Sequence, residues 1–278
     1  LQSRPLGVTE VVNPLRASGG ADKESRDLAR ENVPLSVMPL DRLVSVRDYE
    51  DFTRRFAGIA KALARRATDG SRQLVYLTIA GTDDVPIDTS SDLYRNLLDA
   101  LRRFGDADLP LRVDLRERKA LVLSARLKLL PDFLWEPVVA EVRATLLDRF
   151  GFDRRALGQP ALLCEAIAAV QAVRGVAWVD VDAFGAVPER VLQVSIDPDG
   201  TVHRERVLLT QDDILDAVAD IIAAGSATHA QGDTAEHMAP DVDAWPGGLD
   251  ASEQLLRPAE IVAFTPSVPD TLILNQVP

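Results

Sequence analysis

Apolar positions along the chain fall into two alternating periods, one near 3.6 residues and one of 2, and their order predicts the architecture. Ser45 and Asp48 stand at capping-box spacing, with Asp in place of the usual Glu or Gln, and open a helix. Tyr49, Phe52 and Phe56 share one face of it, and Gly58 closes it. Ile59 to Ala67 and Leu74 to Ala80 read as strands joined through the turn signal Asp69-Gly70. Ser90 or Ser91 starts a helix striped by Leu93, Leu97, Leu98, Leu101 and Phe104, which stops at Gly105. Leu111 to Leu115 and Leu121 to Leu129 read as strands, the second with strict alternation. These elements make a first α+β unit over 45–131, its helices covering one sheet face.

A second unit is expected over 132–278. Pro137 lies near the start of a helix carrying Val138, Val142, Leu146 and Phe150. Another helix carries Leu163, Ile167, Val170 and Val173, and ends at Gly175. Val176 to Phe184 is strand-like, and Leu192 to Ile196 with Val202 to Val207 reads as a hairpin about Asp197-Pro198-Asp199-Gly200. Thr210 and Asp213 repeat the capping signature before Ile214, Val218, Ile221 and Ile222, with Gly225 as the expected end. Residues 226–256 are poor in apolar side chains and are expected to form a mobile surface loop. Glu260 to Phe264 and Thr271 to Leu274 close the pattern as short strands. The fold class is α+β: two mixed helix and sheet units.

An extended arm precedes them over 1–44. Pro5, Pro14, Pro34 and Pro39 exclude a long helix. Gly19-Gly20 can turn sharply, and Asp22 can cap a short helix, Lys23 to Glu31, whose clear apolar residues are Leu28 and Ala29. So polar a helix has little to hold it to its own body, so it is either loosely attached or covered by a partner. The chain begins at Leu1 rather than Met and enters patterned sequence at once, so a preceding N-terminal part is expected.

Charge narrows the function classes. The 278 residues carry a net charge of -12, which repels phosphate backbones and argues against a nucleic-acid role. The single cysteine, Cys164, rules out an intramolecular disulfide and a Cys-based zinc site. It lies in an apolar helical run, where it is expected to be a small buried hydrophobe. No apolar run reaches transmembrane length, so no membrane insertion is expected.

Candidate chemistry is thin. His229, Asp233 and His237 share a polar loop that offers no second shell to orient metal ligands. Asp83-Asp84, Asp197 and Asp199 sit at turns, and Asp213 is explained by a helix start. Asp180 and Asp182 are the best acid pair, since alternate strand residues face one side; they serve either a metal-dependent hydrolase or a solvated or interface face. There is no phosphate loop, no G-x-S-x-G elbow and no H-E-x-x-H. No catalytic residue, cofactor or metal ligand is assigned. Trp178, in a strand, is a core residue or an interface anchor.

The blocks from Val12 to Ala62 look built to fix backbone direction and to dock elements. They comprise Asn13-Pro14-Leu15, Gly19-Gly20-Ala21-Asp22, Arg47-Asp48-Tyr49-Glu50-Asp51-Phe52 and Gly58-Ile59-Ala60-Lys61-Ala62. In order and spacing they resemble the baseplate J-like (wedge) proteins of contractile phage tails and contractile injection systems. The resemblance extends over 8–184, and to a lesser degree over Glu260 to Leu274. It implies a non-enzymatic wedge subunit that closes into a six-fold ring around a hub and helps trigger sheath contraction. The implied partners are a second wedge protein, neighbouring copies of the same chain, and sheath-initiating and hub proteins. The implied location is the bacterial cytoplasm during assembly and then the mature particle. Asn13, Pro14, Leu15, Gly19, Gly20, Asp22, Leu28, Tyr49, Phe52 and Trp178 are the candidate interface residues, although pattern alone favours the core for the Tyr49–Phe52 face. Competing readings are a carboxylate- and metal-dependent hydrolase on Asp180 and Asp182, and a transient assembly factor.

Overall fold

A computed structural model of the chain describes Arg26 and residues 42–68, 70–106, 108–197, 201–230, 241–265, 268 and 270–277. Apart from Arg26 and residues 42–44, the expected arm, and with it Asn13, Pro14, Leu15, Gly19, Gly20, Asp22 and Leu28, lies outside the described residues.

Helix α1 (Val46–Arg54) starts where its capping box says it should. Asp48 N–H donates to Ser45 Oγ at 3.2 Å, and Ser45 N–H donates to Asp48 Oδ2 at 2.7 Å. That backbone hydrogen bond from Ser45 holds the Asp48 carboxyl below the ordinary range. Strands β1 (Ile59–Thr68) and β2 (Gln73–Gly81) pair antiparallel, and β3 (Leu111–Leu115) lies parallel to β2 on its other side. A parallel neighbour needs a crossover, which α2 (Asp92–Phe104) supplies, capped by Ser91. One face of this three-stranded sheet is covered by α1 and α2. Leu77, Ile79, Leu97 and Leu101 form the centre of that core.

Strand β4 (Glu117–Leu129) follows β3 after one residue but belongs to a second sheet. Antiparallel β5 (Val176–Pro188) runs along one edge of it. Along the other edge β10 (Glu260–Ala263) and then β11 (Leu272–Gln276) run parallel to it. This corrects the expected grouping of Leu121 to Leu129 with the first unit. Alternation reveals a strand but not its neighbours. Leu121, Leu123, Ala125, Leu127 and Leu129 face α3 (Trp135–Arg149) and α4 (Leu163–Gln171), which carry the second core through Val142, Leu146 and Val170, with Phe150 just past the end of α3.

The opposite face of this sheet is covered by α5 (Gln211–Ala230) through Val122, Val187 and Val218. Gly225 was expected to end α5 and instead lies within it. A Cβ there would stand 2.2 Å from the Asp182 carbonyl oxygen, so glycine allows helix and strand to touch. The expected loop over 226–256 is corrected in part. Residues 226–230 continue α5, and Val242 bridges Ala161. Gly248–Asp250 (β8) pairs with Leu255–Arg257 (β9), while 231–240 lie outside the described residues. Backbone pairing, not apolar content, orders this segment. Cys164 is exposed rather than buried: the inward positions of α4 are Leu163, Ala166, Ala169 and Val170, and Cys164 falls off that face.

The two sheets are joined through the second face of the first. Ala259 N–H donates to Thr78 Oγ1 at 2.9 Å, and Leu63, Phe152, Leu157, Ala259 and Ile261 pack together. Between β5 and α5 the chain forms a hairpin, β6 (Arg190–Ile196) with β7 (Val202–Leu208).

Candidate interaction surfaces

Alternation in β6 and β7 gives the hairpin two defined faces. The register pairs Arg190 with Leu208, Leu192 with Arg206, Val194 with Arg204 and Ile196 with Val202 on one face, and puts Val191 and Val207 on the other. Among the described residues neither strand pairs with a third. Ile196 is 68% exposed, Leu208 59% and Val194 51%. A two-stranded hairpin of this kind is marginal by itself in water. Something at its base must therefore hold it.

The base is a buried ionic network. Arg206 reaches Glu117 at 2.8 Å and Glu253 at 2.6 Å, and donates to the Arg190 carbonyl at 2.7 Å. Arg257 engages Asp250 at 2.9 Å together with Glu260 and Glu117. Burial pushes the Glu117 carboxyl up, against the pull of Arg206 and Arg257. Burial works the same way on Asp250, but hydrogen bonds from Ser252 and Arg257 overcome it and hold that carboxyl at about 2. Four acids and two arginines thus tie β4, β7, the β8–β9 pair and β10 into one joint. Each charge is compensated, as burial demands.

Two clefts flank the hairpin. An apolar one of about 260 Å³ is lined by Ala120, Val187, Leu208, Leu209, Ile214 and Val268, with Arg118 and Glu189 paired at its rim at 2.8 Å. A wider polar one of about 610 Å³ separates the β3–β4 junction from the hairpin. Arg112, Asp114 and Arg116 line one side of it, and Arg190, Arg204 and Arg206 the other. Near its rim Asp83 and Asp84 both adopt positive φ, at 52° and 59°, in a turn that presents Asp84 to Arg116 and Arg118.

The remaining candidates are placed as follows. Tyr49 is buried at 2%, its hydroxyl accepting from Asp106 N–H at 3.0 Å. Phe52 packs on Phe104 with ring centroids 5.5 Å apart. Both therefore belong to the first core. Trp178 is 42% exposed, across from Lys128. Asp180 and Asp182 do face one side, and Arg126 stands at both, 2.6 Å from the first and 2.9 Å from the second. His203 Nε2 lies 2.7 Å from Asp197 Oδ2. The side chains of His229, Asp233 and His237 lie outside the described residues. Among the described residues no group of three or more His, Cys, Asp or Glu side chains is placed to hold a metal ion. No helix among them is long and apolar enough to cross a membrane.

Sequence reasoning found the hairpin but not its exposure, nor the Glu117–Arg206–Arg257 joint. The signal for exposure was present. Val191-Leu192 and Val207-Leu208 put apolar residues on both faces of a short hairpin, with no helix of its own to cover either.

Residues 41–114 match the family model described as the baseplate J-like central domain. The match covers α1, β1, β2, α2 and most of β3, so it ends with the first sheet. It is narrower than the 8–184 over which the resemblance was expected. No curated protein matches the chain.

Proposed function

We infer, from the match of residues 41–114 to the baseplate J-like central domain, that the protein is a structural component of a baseplate. The observation that carries the reading is that this match spans the first sheet with its two helices, all but the last residue of β3. The finer reading is a wedge subunit of a contractile tail or contractile injection system. It joins a second wedge protein, sheath-initiating and hub proteins and copies of itself in a six-fold ring, and helps trigger sheath contraction. It works without catalysis. A ring of heterologous contacts needs two different adhesive surfaces on each subunit. The arm around Asn13 to Asp22 is one, packed on a neighbouring wedge subunit. The hairpin, with apolar residues exposed on both faces, is the other. Interfaces of this permanent kind bury ~2,000 Å² or more in total.

The hydrolase reading draws no support from the described residues, because Asp180 and Asp182 both engage Arg126. Removal of residues 1–22 tests the wedge reading, with wedge or ring assembly followed by electron microscopy of purified particles. Loss of assembly is the expected result. Normal particles lacking that segment would end the claim for the arm, and particles lacking the whole chain would point to a transient assembly factor.

A further inference from the structure

We propose that the polar cleft between the β3–β4 junction and the hairpin is a docking groove for an acidic peptide segment of a partner protein, with Arg190 and Arg204 receiving its carboxylates. The inference rests on reading the hairpin face as an interface and goes further by naming what binds there.

Register puts Arg190, Arg204 and Arg206 on the same hairpin face, and all three line the cleft of about 610 Å³. Their situations differ. Arg206 is spent on Glu117 and Glu253 inside the joint. Arg190 and Arg204 are exposed, and among the described residues neither side chain has an acidic partner. This is unusual company for a chain of net charge -12, whose other cleft arginines, Arg112, Arg116 and Arg118, are each paired with an acid. Guanidinium groups on one face of the hairpin, Arg190 from β6 and Arg204 from β7, offer planar forks to carboxylates spaced along an extended peptide. Arg206, locked between them, holds the strand that carries Arg204 in place.

The apolar part of the lining favours a peptide over nucleic acid. Asp114, Glu117, Glu189 and Glu205 also line the cleft, so it disfavours any unbroken run of negative charge, phosphate or carboxylate, and suits acids spaced apart at Arg190 and Arg204. Leu208, Leu255 and Leu256 give it apolar ground for side chains that alternate with the acids. Leu208 is shared with the neighbouring apolar cleft, so one extended segment can lay carboxylates in the first and an apolar anchor in the second.

The test uses the full chain and a fluorescein-labelled peptide of alternating Glu and Leu, read by fluorescence anisotropy at low and moderate salt. The same peptide with Gln for Glu and a single-stranded oligonucleotide serve as comparisons. The native protein is expected to prefer the Glu peptide. Replacing both arginines (Arg190→Gln with Arg204→Gln) should weaken that binding by roughly tenfold or more, as loss of charge-assisted hydrogen bonds implies. Arg204→Lys should retain part of it. Equal binding of the Glu and Gln peptides, unchanged affinity in a double variant that melts like the native chain, or stronger binding of the oligonucleotide would each overturn the proposal. If the peptide fails to bind while deletion of residues 1–22 still abolishes assembly, the docking groove falls and the structural reading stands. If the peptide binds as expected while deletion of residues 1–22 leaves assembly intact, the groove stands without the arm.

Discussion

Strand β2 and the β6–β7 hairpin use similar residues to opposite ends. Every residue of β2 from Leu74 to Gly81 is buried, with helices over one face and the second sheet's connections over the other. No residue of β6 or β7 is buried, although both are rich in Val, Leu and Ile. The difference lies in what the chain supplies to cover each face. Pleated apolar strands stabilise a fold only when a second layer takes their surface out of water. The first sheet has a layer over each face, its own helices on one side and connections of the second sheet on the other. The hairpin brings only a joint at its base and leaves its faces for something else.

The largest effect should come from the covered region. Leu77→Ala removes a fully buried side chain from the first core and should cost about 4 kcal/mol in urea unfolding. A loss near that of a surface substitution would mean the first sheet is not the covered part.

Next comes the joint. Arg206→Ala leaves Glu117 and Glu253 short of their partner and should cost about 3 kcal/mol, with Arg257 limiting the damage. Amide hydrogens between 190 and 208 should then exchange faster, while those of β2 stay protected. Unchanged exchange in the hairpin would show that Arg206 is not what holds it.

Acid should probe the same joint. The Asp250 carboxyl is held at about 2 in the folded chain, below its ordinary 3.8. Its stabilisation is therefore complete above the ordinary value and is lost as pH falls from about 4 towards about 2, amounting to roughly 2 kcal/mol. Unfolding free energies of the native chain and of Asp250→Asn, measured across that window, should converge at its acid end. Parallel curves would refute the assignment. Glu117 runs in the opposite sense: its raised carboxyl is a cost at neutral pH that protonation relieves.

The smallest effect on stability belongs to the hairpin tip. Ile196→Ser should change unfolding by less than about 0.5 kcal/mol, because the side chain is already in water. The same variant should impair assembly of the particle. A stability loss as large as that of Leu77→Ala would erase the contrast between the two regions.

Local chemistry made much of this legible in sequence. The Ser45–Asp48 and Thr210–Asp213 boxes marked helix starts, because capping is decided within four residues. The leucine stripe of α2 and the strands of both sheets were readable from period alone. What depends on distant neighbours was not. Nothing in the alternation of Leu121 to Leu129 says that its partners lie at Val176–Pro188 and Glu260–Gln276. Gly225 looks like a helix stop because a sequence does not show the carbonyl of Asp182 packed against it. The candidate surfaces fared likewise: the apolar content of the hairpin was visible, but its exposure and its arginine-lined cleft required the third dimension.

The parallel pairing of β10 and β11 with β4 carries a cost in time. While the chain emerges from a ribosome, β4 and β5 can pair early, yet the outer edge of β4 must wait for strands encoded near the far end of the described chain. Until then a row of backbone donors and acceptors beside Leu121 and Leu123 is open to any passing strand. Nascent copies crowded on one message are thus at their most adhesive just before the sheet closes, when the first sheet, its strands already paired, still waits for Ala259 and Ile261 to cover its second face.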